Sequence, residues 1–367
     1  MAGSVCFVML GAYGYFNPAQ GLIEGGAQRQ VYLLSTALAD RFDVHVVVGD
    51  YGQPQTEHRE GVTLHRAYSK ESTATPLRPA KRLAVLGNAM RRADADLYID
   101  RNPPRVTAFV YLLTRLLRKR FLYHVANDAN LTSRFGARTR PVRALYLQAV
   151  RNADGRVAQS THQQELLATG YDADSTVVPN GYPATESVRP PTEREGFLWV
   201  GRLDENHKRP HLFLELAERL PESEFTLIGP VDTDNEYQKR IRDWAARLPN
   251  VSFLGGVNPW EIHIHYRNAI ALVSTSAYEG FPNVFLEAWR QGTPVVSLDV
   301  DPGRYGIPDD VCANGNLDTL ERFLSDLQTD TTYRTQLASN AHELFTAEFE
   351  MSTVATQYGD AIERVLN

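Results

Sequence analysis

The sequence has little cysteine and no long apolar run. Cys6 and Cys312 are the only cysteines among 367 residues, so a disulfide framework is excluded and a reducing compartment is expected. No segment approaches the ~20 consecutive apolar residues that a membrane-spanning helix needs. The first 23 residues carry no charge, but they lack the basic start of a secretory signal and turn polar after Leu10. We therefore expect a soluble protein of the cytoplasm.

Several well-known catalytic motifs are also missing. The sequence contains no GxxxxGK[ST] phosphate loop, no HExxH zinc motif and no GxSxG nucleophile motif. The glycines that follow the first apolar run, Gly11 to Gly26, are too far apart for the tight turn of a dinucleotide-binding fold. The long spacing of these glycines argues against an NAD-dependent enzyme.

The charge of the chain is unevenly distributed. The formal net charge is −6, yet residues 1–180 hold 22 basic and 15 acidic side chains, and residues 181–367 hold 16 and 29. The most basic stretch runs from Arg78 to Arg143, with 15 basic residues against four acids. Such asymmetry usually indicates an anionic partner for one half of a protein.

Short β-rich apolar runs alternate with helical patterns along the whole chain, which predicts parallel sheets covered by helices. In the first half, strands are predicted at 5–10, 44–48, 62–65, 97–99, 121–125, 156–158 and 176–178, with helices at 26–41, 79–92, 103–118, 141–152 and 161–169. In the second half, strands are predicted at 197–200, 225–228, 251–254, 269–273 and 294–297, and residues 317–366 are predicted to be helical throughout.

A proline-rich interruption at residues 183–195 predicts a linker between two domains. The predicted fold class is α/β, with two doubly wound, Rossmann-like domains whose parallel sheets face a central cleft. Residues 1–182 would form the first domain and residues 196–350 the second. Ligands are expected at the carboxyl ends of the strands.

The segment STSAYEGFPNVFLEAWRQGTP, residues 274–294, contains two glutamates at a distinctive spacing. Glu279 is predicted on a loop and Glu287 on the helix that follows, with Asn283 as its N-cap and Gly292 at its end. A carboxylate can accept two hydrogen bonds from the vicinal hydroxyls of a sugar. The alternative is that Glu279 is a solvated loop residue and that Glu287 interacts only with the helix dipole.

Two further loops contain groups suited to phosphate. Arg202 and Lys208 follow a predicted strand and precede a helix, where two cations can hold a diphosphate. Gly25 and Gly26 open a helix and would let the backbone approach phosphate closely, although an ordinary loop-to-helix turn has the same sequence.

These segments resemble the retaining GT-B glycosyltransferases of family 4, also called group 1. The resemblance rests on five stretches in the family's order: EGGAQRQV (24–31), VVPNGYP (177–183), VGRLDENHKRP (200–210), VSFLGGV (251–257) and EGFPNVFLEAWRQGTPVV (279–296). It implies the GT-B fold and a nucleotide-sugar donor bound mainly by the second domain. It also implies that the final helix, residues 351–367, crosses back to the first domain.

The resemblance implies a role for each matching residue. Glu287 would bind the ribose hydroxyls, Glu279 would contact the transferred sugar, and Arg202 and Lys208 would stabilise the leaving diphosphate. Gly26 would approach the same phosphates, and His124 would lie beside the donor sugar, although a hydrogen-bonded histidine at a strand end is equally compatible with the sequence. The pocket would be lined by the backbone of Gly280, Phe281 and Asn283, and the base would be selected near Leu254–Gly256.

The implied reaction is a retaining, metal-independent transfer with no cofactor. A hexose or N-acetylhexosamine would pass from a nucleoside diphosphate (UDP or GDP) to a glycan or a lipid-linked polyprenyl acceptor. Two alternatives are a sugar-nucleotide 2-epimerase of the same fold and a non-catalytic module that binds a nucleotide sugar. The sequence does not identify the base, the sugar, the acceptor, the linkage or the oligomeric state.

Metal-binding motifs are weak in this sequence. Asp-x-Asp occurs four times, at 94/96, 172/174, 232/234 and 299/301, and such a pair holds a metal in the GT-A glycosyltransferases. Four copies show how easily the pattern arises, and Asp94 and Asp96 are predicted to lie between a helix and a strand. His263 and His265 lack a third ligand at a suitable spacing and are predicted to lie on a helix surface.

The basic segment permits two interpretations. Residues 105–120 form an amphipathic pattern with four cations at its end, typical of a core helix whose last turn suits the macrodipole, or of docking on anionic lipid. The apolar face would contain Val106, Phe109, Val110, Leu113, Leu116 and Leu117. Four arginines beyond the helix predict contact with a phosphate-bearing acceptor or with the inner face of the membrane: Arg134, Arg138, Arg140 and Arg143. Nucleic acid is not expected, because aromatics are not interleaved with these cations.

Overall fold

The computed structural model describes residues 2–20, 25–68, 79–132, 140–308 and 310–367. The chain divides into two units. The amino-terminal unit comprises Met1–Pro183 and Met351–Asn367, and the carboxy-terminal unit comprises Ala184–Glu350. The predicted linker, residues 183–195, lies almost entirely in the second unit and contains one short 3₁₀ helix, Pro191–Glu193.

The amino-terminal unit is built on an eight-stranded sheet with the order β3-β4-β2-β1-β5-β6-β7-β8. All neighbours are parallel except β3 and β4, which form an antiparallel pair. The strands are β1 Ala2–Val8, β2 Phe42–Val48, β3 Thr56–Arg59, β4 Val62–Arg66, β5 Leu97–Asp100, β6 Arg120–His124, β7 Gly155–Ala158 and β8 Thr176–Val177.

Helices connect these strands and cover the sheet. They are α1 Tyr13–Phe16, α2 Gly26–Leu38, α3 Pro79–Ala93, α4 Pro104–Leu116, α5 Arg140–Arg151 and α6 Thr161–Tyr171. The central strands are buried, as a parallel sheet covered by helices requires, and α3, α4 and α5 contribute Met90, Val110 and Tyr146 to one core cluster.

The carboxy-terminal unit is built on a six-stranded, fully parallel sheet with the order β11-β10-β9-β12-β13-β14. Its strands are β9 Phe197–Val200, β10 Phe225–Ile228, β11 Val251–Gly255, β12 Ala271–Ser274, β13 Val295–Ser297 and β14 Cys312–Asn314. Its helices are α7 Pro210–Arg219, α8 Glu236–Ala245, α9 Ile262–Asn268, α10 Asn283–Arg290, α11 Leu317–Thr329 and α12 Thr331–Leu344, followed by a π-helical turn at Phe345–Phe349.

The last helix, α13 Met351–Leu366, packs within the amino-terminal unit. Arg41, just after α2, donates to carboxylates of Asp360 and Glu363 at distances of 2.8 and 3.0 Å. The side chain of Val365 lies against Gly155, where an added Cβ would come within 2.3 Å of it. The glycine is therefore required for the close approach of α13 to β7.

In each sheet, two neighbouring central strands mark the point at which the strand order reverses. This switch point lies between β1 and β5 in the first sheet and between β9 and β12 in the second. Loops that leave the carboxyl ends of such strands diverge to opposite faces of the sheet and open a crevice where ligands bind in doubly wound folds. Each unit therefore has one position at which its topology favours a binding site.

The predicted α/β architecture of two parallel sheets is confirmed, with most strand bounds within three residues of those predicted. Two strands were missed. Thr56–Arg59 has no apolar residue, and Cys312–Asn314 is only three residues long. Both lie at a sheet edge, where one neighbouring strand suffices and an apolar run is not needed.

Candidate functional site

The switch point of the carboxy-terminal sheet joins two loops. The loop after β9 carries Arg202 and Lys208, and the loop after β12 carries Glu279. Ala277 donates its N–H to the carbonyl of His207 at 2.8 Å, and the Thr275 hydroxyl donates to the carbonyl of Lys208 at 2.7 Å. These bonds bring residues about seventy positions apart into one site.

Lys208 and Glu279 form an ion pair between these loops. Their side chains are only 16% and 11% exposed, so Glu279 is not the solvated loop residue that the alternative interpretation required. His207 Nε2 donates to the carbonyl oxygen of Tyr278 at 2.8 Å, and the two rings stack with centroids 4.4 Å apart. The same nitrogen lies 3.9 Å from Glu279. The carboxylate is therefore paired with Lys208, and the imidazole of His207 lies close to it without a hydrogen bond.

Arg209 fixes the two loops to a third. Its Nε donates to the carbonyl of Thr275 at 2.7 Å, and its guanidinium pairs with Asp299 in the loop after β13. Its backbone has φ +49°, in the left-handed region that is costly for a residue with a side chain. The side-chain contacts of Arg209 offset that cost. They fix the backbone at Arg209 and so the position of the adjacent Lys208.

Glu287 occupies the second turn of α10, as predicted. The hydroxyl of buried Tyr266, on α9, donates to its Oε2 at 2.8 Å. The N-cap prediction was wrong: α10 begins at Asn283 and is preceded by Pro282, because proline cannot donate a hydrogen bond and fits just outside the first turn. The predicted helix end is confirmed, since Gly292 adopts φ +61° two residues after Arg290.

The start of the helix is supported by aromatic packing. Gly280 and Phe281 are buried, and the Phe281 ring contacts Tyr305 edge to face at 5.3 Å. The Tyr305 hydroxyl donates to the carbonyl of Glu279 at 3.1 Å. Tyr305 therefore fixes the loop that carries Glu279 from the side of the β13–β14 connection.

The other residues of this unit that were predicted to bind the nucleotide sugar are more exposed than Lys208 and Glu279. Arg202 is exposed and, among the residues that the structure describes, forms no ion pair. Leu254 is exposed near the end of β11, and Gly256 follows that strand. The strand order places β11 two strands from β9, so these residues share the carboxyl edge of the sheet with the paired loops.

The predicted residues of the amino-terminal unit occupy two places. Gly25 precedes α2 and Gly26 begins it, while Glu24 of the same motif lies outside the described residues. His124 ends β6, is buried, and shares a hydrogen bond of 3.1 Å between its Nδ1 and the hydroxyl of Tyr358 on α13. Burial, and secondarily the charge of Arg101, hold the pKa of His124 well below its ordinary value. This histidine is neutral at physiological pH.

The basic helix α4 is mainly a core element. Val110 and Leu113 belong to the core cluster, and the cations near its end bond to neighbouring segments, with Arg115 2.8 Å from Asp154 and Lys119 3.0 Å from Asp94. The prediction for Leu116 was wrong, since 70% of it is exposed. Leu116 is the last residue of α4.

The structure describes only some of the other arginines in the basic stretch from Arg78 to Arg143. Arg140 and Arg143 are exposed on α5, whereas Arg78, Arg134 and Arg138 lie outside the described residues. No helix in the described ranges is both long and apolar enough to cross a bilayer. Within the same ranges, no three His, Cys, Asp or Glu side chains are grouped as metal ligands would be.

Sequence reasoning missed several residues that shape the site, among them His207, Arg209 and Tyr266. His207 and Arg209 flank Lys208, and their polar side chains in a loop at the end of a strand could have drawn attention to them. Tyr266 gave no signal, because it lies 21 positions before Glu287 and only the packing of α9 against α10 brings the two together.

Comparison with known proteins shows which protein family the two units resemble. Residues 184–344 match the profile of the family "Glycosyl transferases group 1", and residues 24–186 match that of "Glycosyltransferase Family 4". The lipopolysaccharide 1,6-galactosyltransferase of Salmonella typhimurium is 32% identical over 166 residues, which are 43% of this chain and 46% of that protein. The chain spans about half the length of the curated relatives it matches.

Several solved structures resemble the whole chain. Sucrose-phosphate synthase from Thermosynechococcus elongatus superposes with a TM-score of 0.78 and 18% identity, covering 99% of this chain and 98% of that one. HepE from Anabaena in complex with UDP-glucose superposes with a TM-score of 0.75 and 17% identity, covering 98% and 99%. At these identities the likeness establishes the GT-B fold. Because the two profile matches together span residues 24–344, the chain belongs to the group 1, or family 4, glycosyltransferases.

Proposed function

We propose that the protein is a retaining, metal-independent glycosyltransferase. It would move a hexose or N-acetylhexosamine from a nucleoside-diphosphate sugar to a glycan or lipid-linked acceptor. The observation that carries this proposal is the Lys208–Glu279 pair, held by hydrogen-bonded loops at the switch point of the unit that matches the group 1 profile. The complex of HepE with UDP-glucose supports a UDP-sugar as the donor to test first.

The residues of the carboxy-terminal unit suit a donor of this class. Lys208 supplies a positive charge for the diphosphate, and exposed Arg202 on the same loop can add a second. Glu279 can accept hydroxyls of the sugar, and Glu287 those of the ribose. The Tyr266 hydroxyl donates to Oε2 of Glu287, so the ribose hydroxyls would bind a carboxylate that is already oriented.

The proposed chemistry needs no protein nucleophile. The acceptor oxygen bonds to the anomeric carbon on the face that the diphosphate leaves, and the bond between that carbon and the phosphate oxygen breaks. The hydroxyl proton passes to a phosphate oxygen, and the nucleoside diphosphate departs with the electron pair. Lys208 stabilises the charge that develops on the leaving group, which is the kind of interaction that accelerates such a step.

The first experiment is a thermal-shift panel with UDP, GDP, ADP and TDP, because a ligand that binds only the folded state raises the melting temperature. We expect UDP or GDP to give the largest shift, and no shift with any nucleotide would reject the proposal. Incubation with the matching nucleotide sugar then separates the activities. A transferase consumes the donor when an acceptor is added, whereas an epimerase forms an isomer without one. Activity that persists in EDTA supports metal independence.

The basic surface of the amino-terminal unit supports a location at an anionic membrane. Arg140 and Arg143 are exposed on α5, beside the core helix α4. We expect the protein to co-sediment at low salt with liposomes that contain anionic lipid, and to remain in solution with neutral liposomes. The double variant Arg140→Gln, Arg143→Gln should lose most of this binding. Equal recovery on both kinds of liposome, or on neither, would reject this part of the proposal.

A further inference from the structure

The switch point of the amino-terminal sheet also carries a cation. Arg101 is the first residue after β5, and Asn102 bonds to the carbonyl of Val8 at the end of β1. Arg101 therefore stands beside the two strands at which the strand order reverses, the position corresponding to that of the paired loops in the other unit.

Arg101 is buried and incompletely bonded. It is 3% exposed, and its Nη2 donates to Oε1 of Gln159 and to Oδ1 of Asn180, both at 2.8 Å. Its Nε and Nη1 have no hydrogen-bond partner among the described residues, and no carboxylate there pairs with it. The adjacent Asp100 instead accepts from the side chain of Asn102 at 2.8 Å.

A second buried arginine shows how the chain satisfies such a group. Arg194 is also 3% exposed, but its three nitrogens all donate: to the carbonyls of Arg189, Gln291 and Gly292 and to the hydroxyl of Thr293. These bonds place the cation at the carboxyl end of α10, where the helix dipole favours it. At the same burial, all three guanidinium nitrogens of Arg194 therefore donate hydrogen bonds, whereas only Nη2 of Arg101 does so within the described residues.

A second buried polar atom without a partner among the described residues lies at the end of the strand that pairs with β5. His124, on the neighbouring strand β6, is 2% exposed, and its Nε2 has no partner in the described part of the chain. Its Nδ1 shares a hydrogen bond with Tyr358, so when Nδ1 accepts from that hydroxyl, Nε2 carries a proton and can donate. Burial lowers the pKa of Arg101 only to about 10, which leaves the guanidinium charged at neutral pH.

We propose that Arg101 binds an anionic group of the acceptor, a phosphate ester or a carboxylate, with His124 Nε2 as a second donor. The proposal rests on the proposed transferase function and specifies its acceptor class. An uncompensated buried cation is costly to folding, whereas an anion with several oxygen atoms would satisfy the guanidinium nitrogens and the charge together. The excess of basic residues in this half of the chain, 22 against 15, would favour the same ligand.

The test is an anion titration followed by thermal shift, with UDP present at saturation so that phosphate cannot enter the donor site. The probes are inorganic phosphate, methyl phosphate and acetate, each balanced with sodium chloride to constant ionic strength. We expect phosphate or acetate to raise the melting temperature of the wild type by about 2 °C or more at ten times its dissociation constant. A response to phosphate and methyl phosphate but not to acetate would indicate a phosphate ester, and a response to acetate a carboxylate.

Two variants of Arg101 and one control decide the origin of the shift. Arg101→Met should abolish it, and Arg101→Lys, which keeps a charge but not the guanidinium geometry, should keep part of it. Lys81→Met, which removes an exposed cation of the same unit, should respond like the wild type. If Arg101→Met does not fold, Arg101→Lys decides, since an undiminished shift in that variant would contradict guanidinium binding.

The possible failures are distinguishable. A wild type that no anion stabilises beyond chloride, or an equal shift in the wild type and Arg101→Met, would overturn the anion site. If UDP itself gives no shift, the donor assignment fails, and the difference between the wild type and Arg101→Met without UDP still tests the anion site.

Discussion

The two units use the same topological position in opposite ways. At the switch point of the carboxy-terminal sheet, the cation Lys208 is paired with Glu279 and fixed by bonds between three loops. At the switch point of the amino-terminal sheet, the cation Arg101 has amide partners only, and two of its nitrogens lack one among the described residues. In the carboxy-terminal unit, the charge of the cation is neutralised by a carboxylate of the protein. In the amino-terminal unit, no carboxylate among the described residues neutralises the charge of Arg101.

This difference is informative about ligands. Under the proposed function, a diphosphate in the carboxy-terminal unit would contact the lysine of this pair, and the sugar would contact its glutamate. An anion that enters the site of the amino-terminal unit would supply the charge that the fold does not. We infer that the carboxy-terminal unit recognises the donor and that the amino-terminal unit recognises an anionic acceptor.

The largest effect should come from breaking the pair in the carboxy-terminal unit. Lys208→Met should lower kcat by about 10²–10³-fold, because it removes a charge that stabilises the leaving group. Steady-state kinetics with the nucleotide sugar checks this. Lys239→Met, which breaks an exposed pair with Glu236 on α8, is the matched control and should leave kcat unchanged. Equal rates for Lys208→Met and the control would contradict the proposed role.

Removing the predicted ribose contact should have the next largest effect. Glu287→Ala should weaken nucleotide binding by about 10–100-fold, the range expected for hydrogen bonds to a charged group, as measured by calorimetric titration. Tyr266→Phe keeps the carboxylate and removes only the hydroxyl that orients it, so we expect a loss of a few fold. A greater loss in Tyr266→Phe than in Glu287→Ala would show that Glu287 does not contact the nucleotide.

Loosening the loops should have a smaller effect than removing Lys208. Arg209→Gly relieves the left-handed backbone but deletes the bonds to Thr275 and Asp299, so we expect about a tenfold lower kcat with KM less affected. Arg219→Gln, at the far end of α7, is the control. Faster turnover in Arg209→Gly would mean that the strained backbone, and not the lost contacts, governs Lys208.

The smallest effect should be on stability in acid, and it should fall on the amino-terminal unit. Burial, with smaller contributions from His45 and Arg92, lowers the pKa of His65 to about 4. The unfolded state therefore takes up a proton first, and stability decreases as the pH falls from about 6.5 towards 4. Asp100 acts in the opposite direction, since burial raises its pKa to about 6.

His65→Gln should flatten this acid-dependent loss when denaturant melts are compared at pH 7 and pH 5. His263→Gln, which replaces an exposed histidine of the carboxy-terminal unit, is the control. An unchanged pH dependence in His65→Gln would show that His65 does not contribute to it.

The sequence predicted those features that depend on local pattern. Apolar runs indicated the strands, and the spacing of Glu279 and Glu287 placed one on a loop and the other on a helix. The partners of these residues could not be predicted, because they come from distant segments: Tyr266 reaches Glu287 only through helix packing, and Arg101 meets Asn180 across 79 positions. The N-cap at Asn283 was misassigned because a favoured residue type lay one position inside the helix.

The central claim is that the carboxy-terminal unit binds the donor and the amino-terminal unit binds the acceptor. Its most direct test is calorimetric titration of UDP into the wild type, Lys208→Met and Arg101→Met. The account predicts that Lys208→Met weakens UDP binding at least tenfold and that Arg101→Met binds UDP as the wild type does. Equal weakening in both variants, or wild-type affinity in Lys208→Met, would contradict the assignment of the donor to the paired site of the carboxy-terminal unit.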